Sequence, residues 1–229
     1  VISRSRSCGM PLEEVIEREY DYLLPYLPDI KVIRNLYGDY KKAHRQFDYD
    51  DLLEVFYEQL CSHAAFRRKI NDRFHAVIVD EYQDTNLIQG SIVEALAGSE
   101  QHVRAVGDDT QSISAFRGAR YENIIAFPRV FPACRIVKLE ENYRSSQHIL
   151  EFTNSIIASM GMGYPKRLFS HDARPVMPEV RRFAYRQDEA SWICDAIEAT
   201  RSEEHPYRKT AVLYRAQYLG DFIQAEMLK

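Results

Sequence analysis

Between positions 76 and 81 the sequence runs Ala-Val-Ile-Val-Asp-Glu, a short β-branched stretch that ends abruptly in two acids. A continuous apolar run of this length reads as a strand covered on both faces, as strands of a parallel sheet are. Everything upstream has a different rhythm. Leu12, Val15, Ile16, Tyr20 and Leu23 follow Pro11 at helical spacing, and Pro25 and Pro28 stop the pattern. Ile30, Ile33, Tyr37, Tyr40 and His44 mark a second helix; Tyr49, Leu52, Leu53, Phe56, Tyr57 and Leu60 mark a third, with Asp48 or Asp50 as its N-cap. The first 75 residues therefore read as all-helical.

Downstream of Glu81, strands and helices alternate. Ile88, Ile92, Ala95 and Leu96 share a helix face that Gly98 ends, a strand is expected at Val103–Val106, a helix near Glu122–Phe127 and a strand at Arg135–Leu139. That order is the pattern of a parallel α/β sheet. Ser145 or Ser146 can cap a helix carrying Ile149, Phe152, Ile156, Ile157 and Met160, and residues 161–178, with two Gly and three Pro, read as a loop or linker. Strands near Val180–Tyr185 and at Thr210–Tyr214 alternate with helices around Trp192 and Phe222.

Composition narrows the function classes. With 229 residues, 45% hydrophobic and 28% charged, the chain is large enough for one sizeable core or two small ones. No apolar run approaches the roughly 20 residues that cross a bilayer, so no membrane association is expected. The four cysteines (Cys8, Cys61, Cys134, Cys194) show neither CxxC pairing nor metal-ligand rhythm, and Val1–Arg6 has no signal-peptide pattern. Reduced thiols and a cytoplasmic location are expected. A net charge of −4 excludes a broad basic footprint for duplex DNA. Only eight of the 30 basic residues are Lys, and an Arg-rich set suits phosphate contact and stacking, so a nucleotide or single-strand site remains open.

The chemistry is concentrated at strand ends. A rigid strand would present Asp80 at its carboxyl edge, where open α/β sheets bind ligands, and a hard carboxylate there can hold Mg²⁺ directly or through water. Glu81 can then orient and deprotonate an attacking water. The plainer alternative is that Asp80 caps the following helix and Glu81 is a solvated neighbour.

Three blocks extend the pattern: Asp80-Glu81-Tyr82-Gln83-Asp84-Thr85-Asn86, Val106-Gly107-Asp108-Asp109-Thr110-Gln111-Ser112-Ile113-Ser114-Ala115-Phe116-Arg117-Gly118-Ala119, and Leu139-Glu140-Glu141-Asn142-Tyr143-Arg144-Ser145-Ser146. In this order and spacing they resemble the second, third and fourth conserved motifs of superfamily-one DNA helicases of the UvrD/Rep/PcrA type. Phe47-Asp48-Tyr49-Asp50-Asp51-Leu52-Leu53 resembles the aspartate-rich helix start that precedes the DE pair in these enzymes, and Thr210–Arg215 resembles a strand of their second motor domain. The resemblance runs from about Ile2 to Lys229 and is least distinctive over the first 45 residues.

The resemblance implies roles residue by residue. Asp80 and Glu81 would hold Mg²⁺ and activate the hydrolytic water, in agreement with the reading from residue chemistry. Gln111 would sense the γ-phosphate of ATP, its amide both donating and accepting. Arg144 would reach the γ-phosphate from the second motor domain, and Tyr143 would stack on adenine. Asp80, Tyr143, Arg144 and Gln111 are thus the implied nucleotide contacts, and Glu81, Gln111 and Arg144 the implied catalytic set. Phe116, Arg117 and Ser114 stand where the family contacts single-stranded DNA. Phe116 replaces a usual Trp and Ser114 a usual Tyr, so one stacking platform is smaller and another absent.

No GxxxxGK[ST] occurs, and the chain contains no Gly-Lys pair. The expectation is an internal slice of a longer, partial RecA-like (P-loop NTPase) α/β protein. Residues 1–46 would end a helical accessory subdomain, 47–139 would form the second half of the first RecA-like motor domain, and 140–229 would begin the second. The family's first motif would lie upstream and its last two downstream, leaving the slice inactive alone. The implied parent is an ATP-dependent 3′–5′ helicase and translocase acting on single-stranded and 3′-tailed duplex DNA. Two alternatives stay open: a non-catalytic DNA-binding or assembly module derived from such a motor, and part of a RecB/AddA-like helicase-nuclease.

Overall fold

The computed structural model describes every residue except 98–101, 114–117, 162, 173, 175 and 176. The chain divides into two compact units, one formed by Val1–Arg144 with Thr153–Ser170 and the other by Ser145–Phe152 with His171–Lys229. Among the described residues no helix is long and apolar enough to cross a membrane.

The first unit opens with α1 (Ile2–Cys8), α2 (Leu12–Glu19), α3 (Leu27–His44), α4 (Tyr49–Ser62) and α5 (Ala64–Arg73). The helical reading of the first 75 residues holds. Helix α2 buries Leu12, Val15 and Ile16, and Leu60 of α4 is fully buried. Asp48 caps α4 in a reciprocal box: its carboxylate accepts the Asp51 N–H at 2.8 Å while the Asp51 carboxylate accepts the Asp48 N–H at 3.0 Å. Basic side chains converge on this turn. Arg6 donates to Asp51 at 2.7 Å and to Glu54 at 2.6 Å, and Lys41 donates to both Asp48 and Asp51 at 2.6 Å. Against the opposing pull of burial, the hydrogen bonds from Lys41, the Asp48 backbone and Arg6 hold the Asp51 carboxyl far below the usual carboxylate range.

Strand β1 (Ala76–Val79) pairs in parallel with β2 (His102–Ala105), Ala76 opposite His102 and Val79 opposite Ala105. Helix α6 (Leu87–Leu96) forms the crossover, capped by a second reciprocal box between Asn86 and Gln89. The expected stop at Gly98 lies outside the described residues. Helix α7 (Glu122–Val130) follows, its Phe127 ring edge-on to Tyr82.

Three expected strands do not form. Residues 135–139, 180–185 and 210–214 carry no strand, and β1 is not covered on both faces, since Ala76 and Ile78 are exposed. Val137, Leu139, Val180 and Leu213 likewise stand exposed. β-branched residues favour a strand only where neighbours complete the ladder and cover the face, and among the described residues no strand pairs with these segments.

Helix α8 (Gln147–Met160) starts directly after the buried Ser146. In the second unit, α9 (Arg186–Thr200) packs against α10 (Gln217–Met227), where Gly220 admits the Tyr214 ring: a Cβ there would lie 2.5 Å from Tyr214 Cζ.

Candidate functional site

Parallel pairing brings the carboxyl ends of β1 and β2 side by side, and the ladder continues past both. Val106 N–H donates to the Val79 carbonyl at 2.8 Å, and Tyr82 N–H donates to the Val106 carbonyl at 2.9 Å. The acidic turn after β1 is thereby fixed against the Gly107-Asp108 turn after β2.

Glu81 occupies the left-handed region, φ 51° and ψ 42°, and a single 3₁₀ turn, Tyr82–Asp84, follows it. A non-glycine residue there costs of order 1 kcal/mol or more, and such strain clusters where a side chain must be aimed. Asp80 accepts the Glu81 N–H at 3.0 Å, and both acids are exposed. Gln83 is nearly sealed, 1% exposed. Its amide nitrogen donates to the Glu81 carboxylate at 2.6 Å, and its amide oxygen accepts the Asp108 N–H at 3.0 Å.

Asp108 organises the second turn. It caps the short Asp109–Gln111 turn, accepting from Thr110 N–H at 3.0 Å and from Thr110 Oγ1 at 2.6 Å, while its other oxygen accepts the Gln111 side-chain amide at 2.8 Å. Lys166 donates to the carboxylates of both Asp108 and Asp109. Asp109 is buried and also accepts the Tyr164 N–H at 2.6 Å. Although burial works the other way, hydrogen bonds from Lys166, Thr110 and Gln111 lower the Asp108 carboxyl to about 2. Burial likewise opposes the charge on Lys166, but Asp108 and Asp109 together push its ammonium above the ordinary lysine value.

The sequence-predicted residues are thus distributed unevenly. Glu81 and Gln111 belong to one continuous chain of hydrogen bonds, with Asp80 adjoining. Tyr143 and Arg144 lie in a bend that follows a separate bridge, anchored by Asn142 N–H to the Phe169 carbonyl at 2.8 Å and Phe169 N–H to the Glu140 carbonyl at 3.0 Å. The Arg144 N–H donates to Asn142 Oδ1 at 2.9 Å, and its side chain faces solvent. Tyr143 is 85% exposed, and a hydrogen bond to Glu141 pushes its phenol up. Ser114, Phe116 and Arg117 lie outside the described residues. Gln83, Asp108 and Lys166 were not singled out from sequence, although the run of amides and acids after each strand was a signal.

Among the described residues no three His, Cys, Asp or Glu side chains gather as a metal cage. A Mg²⁺-nucleotide site asks for less, one or two carboxylates with phosphates and water completing the shell. Asp80 and Glu81, adjacent, exposed and in no ion pair among the described residues, fit that donor set.

Comparison with known proteins agrees with the motif pattern. Residues 15–132 match the family model of the UvrD/REP helicase N-terminal domain, and residues 137–229 that of the UvrD-like helicase C-terminal domain. The chain is 35% identical over 184 residues to the ATP-dependent DNA helicase Rep of Escherichia coli, covering 80% of this chain and 27% of that protein. It is 34% identical over 189 residues to the ATP-dependent DNA helicase PcrA of Leuconostoc citreum, covering 82% and 25%. With the ATP-dependent DNA helicase UvrD1 of Mycobacterium tuberculosis it shares 34% over 196 residues, 81% and 25%. The chain spans about a quarter of the length of the curated relatives it matches.

Proposed function

This chain belongs to the UvrD/Rep helicase family, and on that premise we propose that it is the part of an ATP-driven DNA motor that carries the hydrolytic acid pair and the γ-phosphate sensor. The relatives' RecA-like architecture is the frame: residues 1–46 end a helical accessory subdomain, 47–139 complete the first motor domain and 140–229 begin the second. The parent protein works in the cytoplasm, moves 3′ to 5′ on single-stranded DNA and unwinds 3′-tailed duplexes. Alone, the 229 residues do not turn over ATP, because no phosphate-cradling Gly-Lys loop is among them.

The carrying observation is Glu81, held in a left-handed backbone at the end of β1 with its carboxylate fixed by the buried Gln83. An exposed carboxylate so aimed orients a water and accepts its proton, an assistance worth about 10²- to 10⁴-fold in rate. Asp80 and Glu81 are the residues that would hold Mg²⁺, which when bound neutralises charge on the nucleotide phosphates. Gln111 offers its amide to the terminal phosphate, Arg144 counters the charge that develops there, and Tyr143 presents an open ring to the base. Phe116, Arg117 and Ser114 contact the DNA strand, the Phe116 ring stacking on a base for about 1 to 3 kcal/mol.

The test is Glu81→Gln in the full-length protein, which keeps shape and removes the base. Nucleotide binding is expected to persist while DNA-stimulated hydrolysis falls at least a hundredfold; turnover near the parent's value would rule Glu81 out as the base.

A further inference from the structure

The chain of bonds that joins Glu81 to Gln111 passes through two residues, Gln83 and Asp108, to which the hydrolytic reading assigns no contact with the nucleotide. From the acid it runs to the Gln83 amide nitrogen, from the Gln83 oxygen to the Asp108 N–H, and from the Asp108 carboxylate to the Gln111 amide. Gln83 uses both ends of its amide, so its orientation is fixed by two different turns at once. Asp108 also has both carboxylate oxygens engaged, one by Thr110 and the other by Gln111.

Two adjacent acids, Asp108 and Asp109, would repel one another if left bare. Lys166 lies against both, with its side chain 12% exposed. The segment carrying Lys166 is fitted to the pair by shape as well as charge. A Cβ at Gly163, whose φ is +92°, would sit 1.9 Å from Asp109 Oδ2, and the neighbouring Tyr164 N–H donates to that same oxygen. Only glycine allows the backbone so near the carboxylate in that conformation.

We propose that Gln83, Asp108 and Lys166 are positioning residues: Gln83 and Asp108 link the hydrolytic acid to the γ-phosphate sensor, and Lys166 locks the link by gripping the paired acids. The inference rests on the hydrolytic reading of Glu81 and Gln111. Its consequence is that the two ends act as one unit, so that disturbing the link lowers turnover without weakening the hold on nucleotide. Partners of this sort, one bond removed from the chemistry, typically matter by about 10- to 100-fold.

The experiment measures ATP hydrolysis and equilibrium nucleotide binding for the full-length protein carrying Gln83→Met, Lys166→Met, Lys166→Arg or Gln111→Ala, and for Gln83→Met combined with Gln111→Ala. Gln83→Met and Lys166→Met are expected to lower kcat about 10- to 100-fold with KM for ATP changed less than about threefold. Lys166→Arg should recover most of the loss. The double variant should be no slower than Gln111→Ala alone, because residues acting as a unit are not additive. Wild-type kcat in either Met variant, a loss that adds in full to that of Gln111→Ala, or a rise in KM with unchanged kcat would overturn the proposal. Should Gln83→Met fail to fold, the Lys166 pair decides. Glu81→Gln separates the two readings: turnover retained there removes the hydrolytic assignment itself, whereas loss there with a silent Gln83→Met removes only the link.

Discussion

Gly107 passes so close to Gln83 that a Cβ at position 107 would lie 2.4 Å from the Gln83 amide oxygen. The same Cβ would stand 2.9 Å from Ile124 Cδ1 and 3.2 Å from the Tyr82 backbone nitrogen, so the crowding has no easy outlet. Glycine is needed here for room, and the oxygen it makes room for is the one that accepts from Asp108.

Gly107→Ala is therefore expected to destabilise the chain by about 1 to 3 kcal/mol, the usual range for overpacking a tight site. Urea unfolding measures it. Hydrolysis by the full-length protein should fall as well, since the displaced amide is the contact of Glu81. An unchanged urea midpoint would show that Gln83 can retreat.

The acid-rich turn at the start of α4 makes stability depend on pH. The Asp51 carboxyl lies far below its unfolded value of about 3.9, so the folded state binds fewer protons than the unfolded chain in that range. The stabilisation is fully present above about pH 4 and is lost progressively as the pH falls below it. Asp51→Asn should lower the urea midpoint at pH 6 and flatten its decline between about pH 4 and 2; a parallel decline in both proteins would contradict the assignment.

Arg144 faces solvent, so its removal should leave the fold intact. Arg144→Ala in the full-length protein is expected to cut kcat by about 10³-fold or more, as for other arginines that meet a transferring phosphoryl group. Its thermal midpoint should stay within about 1 °C of the parent's. A large fall in the midpoint with a small change in kcat would make Arg144 structural instead.

Arg45 closes α3 in the left-handed region at φ 53°, a position where glycine carries no Cβ penalty. Arg45→Gly should leave stability unchanged or raise it by up to about 1 kcal/mol. Glu81 shares that backbone at φ 51°, yet Glu81→Gly should not gain, because the buried Gln83 amide would lose its acceptor. Comparing the two unfolding curves tests whether the strain at Glu81 is tied to a side-chain role.

How much of this was legible in the sequence differs by element. Helix α4 was readable, and its cap was narrowed to Asp48 or Asp50, because helical spacing and capping chemistry are local. The acid pair at the end of β1 was readable because a β-branched run closing in two carboxylates is itself unusual. That 135–139 forms no strand was not readable, since alternation and β-branching describe a segment's preference and the ladder needs a neighbour to satisfy it. Gln83 was hidden for a similar reason: its partner Asp108 is 25 residues away, and only the parallel register brings them together. Lys166 lies 57 and 58 residues from the acids it grips, in a stretch that reads as loop.

The two-stranded sheet has a practical corollary. Ile78 is 66% exposed, Leu139 83% and Leu213 93%, and among the described residues the short ladder has no third strand on either of its flanks. Such flanks are templates for pairing with another copy, so the isolated 229 residues should self-associate as concentration rises. Light scattering across a dilution series would reveal it, and Ile78→Lys should raise solubility without touching the acid pair.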